Sequence, residues 1–277
     1  MIFSCRADPA IKTLEMGGES LERLNAEARH RASEYQSNSP FPHIVIDGLF
    51  PDELLDDVVS ECHEQRHTTT KDFYGARKKS ATFDPWAMGT TTRRLLEDLN
   101  SGHFCGFLET LTGIEGIIPD PYYFGGGIHE TGQGGFLKVH TDFNWHEQLK
   151  LDRRLNLLLY LNKEWHDDWG GDLELWETDM SRRAARIAPS FNRTVIFSTT
   201  DYSYHGHPEP LTCPEDQSRL SLALYYYSNG RPAEEVRFEN SAATQYAARP
   251  GEQFNTDSLL KKLSRRLRSA RKKHRTP

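Results

Sequence analysis

His140 and Asp142 stand two residues apart in HTDFNWH (140–146), a stretch that gathers two histidines, an aspartate, an asparagine and a tryptophan. In a β-strand, side chains at i and i+2 point to one face, so this imidazole and carboxylate converge. Polar groups withdrawn from water need partners, and a buried strand has little reason to collect them otherwise. With one more histidine the pair forms the 2-His-1-carboxylate facial triad that holds non-haem iron(II) and leaves the remaining positions open. DYSYHGHPEPL (201–211) offers that histidine, as His205 or His207. Further on, Arg219 opens RLSLALYYYS. Alternation there places Arg219, Ser221 and Ala223 on one face and Leu220, Leu222 and Leu224 on the other. A guanidinium beside small side chains makes a slot with a charged floor, which can hold a carboxylate through two parallel hydrogen bonds.

These residues need strands to carry them. From Tyr122 onward YYFGGGIHE, GGFLKVHTDF, RRLNLLLYLN, GGDLELWE, RTVIFST and RLSLALYYYS are strand-like, separated by Gly, Asn, Asp and Pro. The preceding part is helical. PDELLDDVVSECHEQ has Pro51 at its start, acidic residues in its first turn, and Leu54, Leu55, Val58, Val59 and Cys62 on one stripe. TTRRLLEDLN and HFCGFLETLTG read as a helical pair, HIVIDGLF as a short strand and turn, and residues 66–93 as mainly loop. Several short strands after helices predict an α+β chain whose all-β core is a sandwich or jelly roll with helices outside. Three segments follow: an N-terminal helical extension (1–40), a core domain (41–230) and a C-terminal extension (231–277).

In order along the chain, FPHIVIDGLFP, GQGGFLKVHTD, LLLYLNKEW, WGGDLELW and HGHP followed by Arg219 resemble the iron(II)- and 2-oxoglutarate-dependent dioxygenases of the prolyl 4-hydroxylase-like branch. The resemblance spans roughly residues 41–228. It implies a double-stranded β-helix, a cupin-like squashed barrel with the metal inside. It implies that His140, Asp142 and His205 hold Fe(2+), with His205 preferred over His207 as the distal ligand. It further implies that Arg219 grips the distal carboxylate of 2-oxoglutarate with Tyr160 assisting, and that His129 lies near this cosubstrate. The chemistry implied is consumption of O2 and 2-oxoglutarate, release of succinate and CO2, and hydroxylation of an unactivated C–H bond, with ascorbate as a supporting reductant. An aspartate rather than a small residue at 142 fits hydroxylation, since the related halogenases leave that position for chloride. The branch favours a prolyl residue of a peptide or protein as substrate. A free amino acid or natural-product small molecule, a catalytically silent binding module and a zinc hydrolase built on the same ligands stay open.

The bulk numbers bound the rest. With 277 residues the chain can bury a sizeable core. It has no apolar run long enough for a membrane span and no basic-then-apolar leader pattern. Its four cysteines lack CxxC spacing, which fits a reducing cytoplasm rather than a disulfide framework. GGGIHETGQGG is glycine-rich but ends without the lysine-serine of a phosphate loop, which argues against nucleotide binding. The net charge of −6 conceals an asymmetry: residues 261–277 carry nine Lys and Arg and no acid, leaving −15 on residues 1–260. The acidic body suits cationic partners. In the tail, SLLKKLSRRLRSARKKHR spaces leucines helically among basic residues, either to dock on the body or to touch an anionic partner. No feature of the sequence indicates an oligomeric state.

Overall fold

The computed structural model describes residues 19–64, 71–73, 75–236 and 243–252. The basic tail and the first eighteen residues lie outside them. Helices α1 (Glu19–Ser37), α2 (Asp52–Glu64), α3 (Thr90–Leu99) and α4 (Gly102–Thr112) all fall in the first half of the chain. Strands β1 (His43–Asp47), β2 (Lys71–Phe73), β3 (Ala76–Thr82) and β4 (Ile118–Pro119) are interspersed with them. Among the described residues, the elements of the second half are mainly strands: β5 (Gly127–Thr141), β6 (Trp145–His146), β7 (Leu151–Tyr160), β8 (Leu173–Trp176), β9 (Arg183–Ile187), β10 (Arg193–Ser198), β11 (His205–His207), β12 (Ser218–Ser228) and β13 (Gln245–Tyr246).

All these strands pair antiparallel in one sheet, with the central order β1-β10-β7-β12-β5-β11-β8-β9. β5 makes the sheet curl. Its first half, residues 127–132, pairs with β12, and its second half, from Leu137, pairs with β11. One fifteen-residue strand therefore joins two walls, and the sheet rolls into the half-barrel of a jelly roll.

Alternation decides which face is apolar. Leu155, Leu157 and Leu159 of β7 and Leu220, Leu222 and Leu224 of β12 are buried in one cluster with the helices. Leu24, Ala28 and Tyr35 of α1 belong to that cluster too, and the Tyr35 hydroxyl lies 2.7 Å from Ser198 Oγ on β10. Helix α1, the described part of the predicted N-terminal extension, is thus packed against the back of the sheet. α2 buries Leu54, Leu55, Val58 and Cys62 as its periodicity requires. It also caps its neighbour: Gly89 has no side chain to close α3, and the Glu61 carboxylate accepts from Thr91 N and Thr92 N at 2.9 and 2.8 Å.

The expected loop over 66–93 is corrected in part. β3 pairs with β5 from Thr82 to Ala76, interrupted by a bulge at Lys78, whose φ is +47°. Its sequence, ARKKSAT, shows no apolar alternation because its inward face meets a polar cavity. No helix among the described residues is long and apolar enough to cross a membrane.

Candidate active site

The inner face of the half-barrel lines a cavity of about 200 Å³. His140 lies at the end of β5 and His205 at the start of β11, and the two are direct cross-strand partners. Their rings approach to 4.4 Å between centroids. Both Nδ1 atoms sit against backbone carbonyls, Lys138 O at 2.8 Å and Ser203 O at 2.9 Å. A carbonyl only accepts, so each Nδ1 carries the proton and each Nε2 offers a lone pair inward. Asp142 completes the group: His140 Nε2 is 3.6 Å from its Oδ1 and His205 Nε2 3.3 Å from its Oδ2.

Three acceptors thus face one another at close range with no proton between them. A cation resolves that conflict. Neighbouring ligands on an octahedral ion with bonds of about 2.1 Å lie roughly 3.0 Å apart, close to the separations seen. Among the described residues, His140, Asp142 and His205 are the one His/Cys/Asp/Glu group whose donor atoms gather this way, all within 4.8 Å. The residues present fit a divalent metal. Burial, with His205 adjacent, holds the His140 pKa below its ordinary value, which keeps the imidazole neutral and able to ligate. Burial opposes the ionisation of Asp142, but Arg153 and the two histidines outweigh it and hold the carboxyl well below the usual range.

Arg153 and Asn156 orient that carboxylate. Arg153 Nη2 and Asn156 Nδ2 donate to Asp142 Oδ2 at 3.0 and 2.7 Å, and Arg153 Nε donates to Asn156 Oδ1 at 3.0 Å. The guanidinium is stacked on Tyr225 at 3.4 Å and against Phe143 at 4.5 Å. A regular strand would send residues 153 and 156 to opposite faces. The pairing of β7 with β12 slips between Leu155 and Arg153, and that slip brings both inward. Sequence reasoning missed the pair. Its signal was a charge and an amide beside the apolar positions of RRLNLLLYLN (153–162).

Arg219 sits farther in. Its Nε donates to Gly171 O at 2.6 Å and its Nη2 to Tyr160 Oη at 2.9 Å, with its guanidinium carbon 4.8 Å from the centre of the Tyr160 ring. Gly171, at φ +80°, is fixed by this contact: a Cβ there would lie 2.8 Å from Leu211 Cδ2 and 3.1 Å from Arg219 Cδ. Ser221 lines the cavity beside Arg219, as the alternation predicts. His129 is also a wall residue, its Nε2 2.9 Å from Gly125 O, and burial followed by the nearby Lys79 charge holds it neutral.

The alternative distal histidine is placed differently. His207 lines the cavity but is outside the three-residue group, because a register shift separates it from His205. Lys138 shares sequence phase with His140 yet pairs with Glu252 at 2.6 Å. Of residues 143–146, Phe143 reaches the cavity, whereas His146 is buried 3.7 Å from Asp120. Tyr246 of β13, which sequence reasoning did not single out, packs its ring 5.7 Å from His140.

Residues 126–227 match the model of the 2OG-Fe(II) oxygenase superfamily. The chain carries a 2OG-Fe(II) oxygenase domain. That segment holds both histidines, Asp142 and Arg219. The chain is also 37% identical over 79 residues to prolyl 3-hydroxylase OGFOD1 of Mus musculus; the match covers 27% of this chain and 14% of that protein. In three dimensions the oxygenase domain is similar to a prolyl hydroxylase of Trichoplax adhaerens solved with a hypoxia inducible factor peptide (TM-score 0.53, 14% identity, 75% of this chain and 92% of that one). It is similar as well to HygX of Streptomyces hygroscopicus, solved with nickel and 2-oxoglutarate (TM-score 0.51, 13% identity, 79% and 97%). The shared fold is the double-stranded β-helix.

Proposed function

We propose that the protein is an iron(II)- and 2-oxoglutarate-dependent hydroxylase acting on a peptidyl proline, in a reducing compartment such as the cytoplasm. The observation that carries the reading is the set of three inward lone pairs on His140, Asp142 and His205, with Arg219 and Tyr160 deeper in the same cavity. Iron(II), bound with 2-oxoglutarate and O2, supplies oxidative decarboxylation and the oxidising power to hydroxylate a C–H bond. The chain supplies the rest. His140, Asp142 and His205 would hold the metal. Arg219 retains a free Nη1 while its other nitrogens are held by Gly171 and Tyr160, so it presents a fixed donor to the distal carboxylate. The buried walls exclude water from the reacting centre.

A prolyl substrate is supported by the mouse relative and by the peptide-bound structural neighbour, and a reducing compartment by the three described cysteines, all free and buried. A cell lysate incubated with the enzyme, iron(II) and 2-oxoglutarate tests the substrate class by mass spectrometry. The expected result is a gain of one oxygen on proline in a small set of peptides. Gains confined to small molecules would overturn the prolyl assignment and leave the chemistry standing.

A further inference from the structure

The inner end of the cavity holds more positive charge than the one arginine. The pairings Lys79↔Thr131 and Thr131↔Arg219 set three residues of β3, β5 and β12 in a single cross-strand row. Residues in such a row share a face, and Lys79 and Arg219 both line the cavity. The bulge at Lys78 aims Lys79 there, its irregular backbone anchored where Lys78 N donates to Asp72 Oδ1 at 2.8 Å. Among the described residues Lys79 has neither ion pair nor hydrogen bond, and Arg219 is the charge acting on it most strongly. Burial, then Arg219, pushes its pKa down to about 8, so the ammonium stays mostly charged at neutral pH.

The surrounding wall points to a ligand as well. His207 is 4% exposed, lines the same cavity, and neither of its ring nitrogens has a hydrogen-bond partner. Two cations that repel each other and an unsatisfied imidazole thus line one cavity, in which the carboxylate is Asp142, already held by Arg153 and Asn156. Like charges held together away from bulk water are costly until an anion lies between them.

We infer that Lys79 is a second binding residue for the distal carboxylate of the 2-oxo-acid cosubstrate, acting across the cavity from Arg219, so that the pocket selects a dicarboxylate. The inference rests on the proposed cosubstrate. Arg219 approaches from β12 and Lys79 from β3, which clamps the carboxylate between two strands that both pair with β5.

The test is anaerobic titration of the iron(II)-loaded protein, read by the visible charge-transfer band of a chelated 2-oxo acid. Wild type and Lys79→Gln are each titrated with 2-oxoglutarate and with 2-oxopentanoate, which has a methyl in place of the distal carboxylate. A hydrogen bond to a charged group corresponds to a loss of about tenfold to a hundredfold in 2-oxoglutarate affinity for the variant. The same variant should bind 2-oxopentanoate and iron(II) as wild type does, which also shows that it is folded. Unchanged 2-oxoglutarate affinity, or equal losses for both acids, would overturn the role of Lys79 alone. Failure of the wild type to develop the band with 2-oxoglutarate would instead overturn the cosubstrate reading, and this inference with it.

Discussion

At the scale of single residues, the metal centre depends on groups that do not touch the metal. Asp142 faces His140 with Oδ1 and His205 with Oδ2, and Arg153 and Asn156 fix that orientation by donating to Oδ2. Residues in this position typically account for about 10–100-fold in metal affinity. Asn156→Ala removes one donor to Asp142 and the acceptor that holds Arg153. The expected outcome is a loss of about tenfold or more in manganese(II) affinity, measured by equilibrium titration, with the circular dichroism spectrum retained. Wild-type affinity in Asn156→Ala would show that the carboxylate does not need this support. The ligand histidines and Asp142 were legible in the sequence because i, i+2 spacing survives folding directly. Arg153 and Asn156 were not, since a slip of register, which no periodicity reveals, puts them on one face.

At the scale of elements, the two halves of the metal site come from β5 and β11, and their close approach is the geometric requirement. Gly206 lies between His205 and His207 at that approach. A Cβ there would meet Leu137 O and Lys138 O at 2.8 Å and Lys138 C at 3.0 Å, all backbone atoms that cannot swing aside. Gly206→Ala is therefore expected to push β11 off β5, costing about 1–3 kcal/mol of stability and separating His205 from His140. Thermal unfolding and metal titration check it together. A variant that keeps both wild-type melting temperature and metal affinity would contradict the account. Most of the β-rich second half could be read from apolar alternation, and Arg219 and Leu220 fell on the faces that alternation assigned. β3 and β13 could not. The first turns lysine inward where pattern reading seeks an apolar residue, and the second has two residues, too few to show a period.

At the scale of the molecule, helices α1 to α4 cover one face of a curled sheet and leave the opposite face concave and polar. The helices and the leucine face of β7 and β12 share one core, so the wall that carries Arg219 and Tyr160 is braced from behind. Within that concavity, charge is distributed along depth: the carboxylate and two imidazoles near the end of β5, the cations Arg219 and Lys79 farther along the same strand's partners. This polarity would suit a dianionic cosubstrate lying with one end toward the three metal-ligating residues and the other toward the two cations. The central claim is that the three inward lone pairs hold the iron that turns over 2-oxoglutarate. Succinate release, measured with iron(II), 2-oxoglutarate, ascorbate and O2 for wild type and for Asp142→Ala, tests it most directly. The account predicts succinate from the wild type only when iron(II) and O2 are both present, and none above background from a folded Asp142→Ala. Succinate formed at the wild-type rate by Asp142→Ala, or by the wild type without iron(II) or without O2, would contradict it.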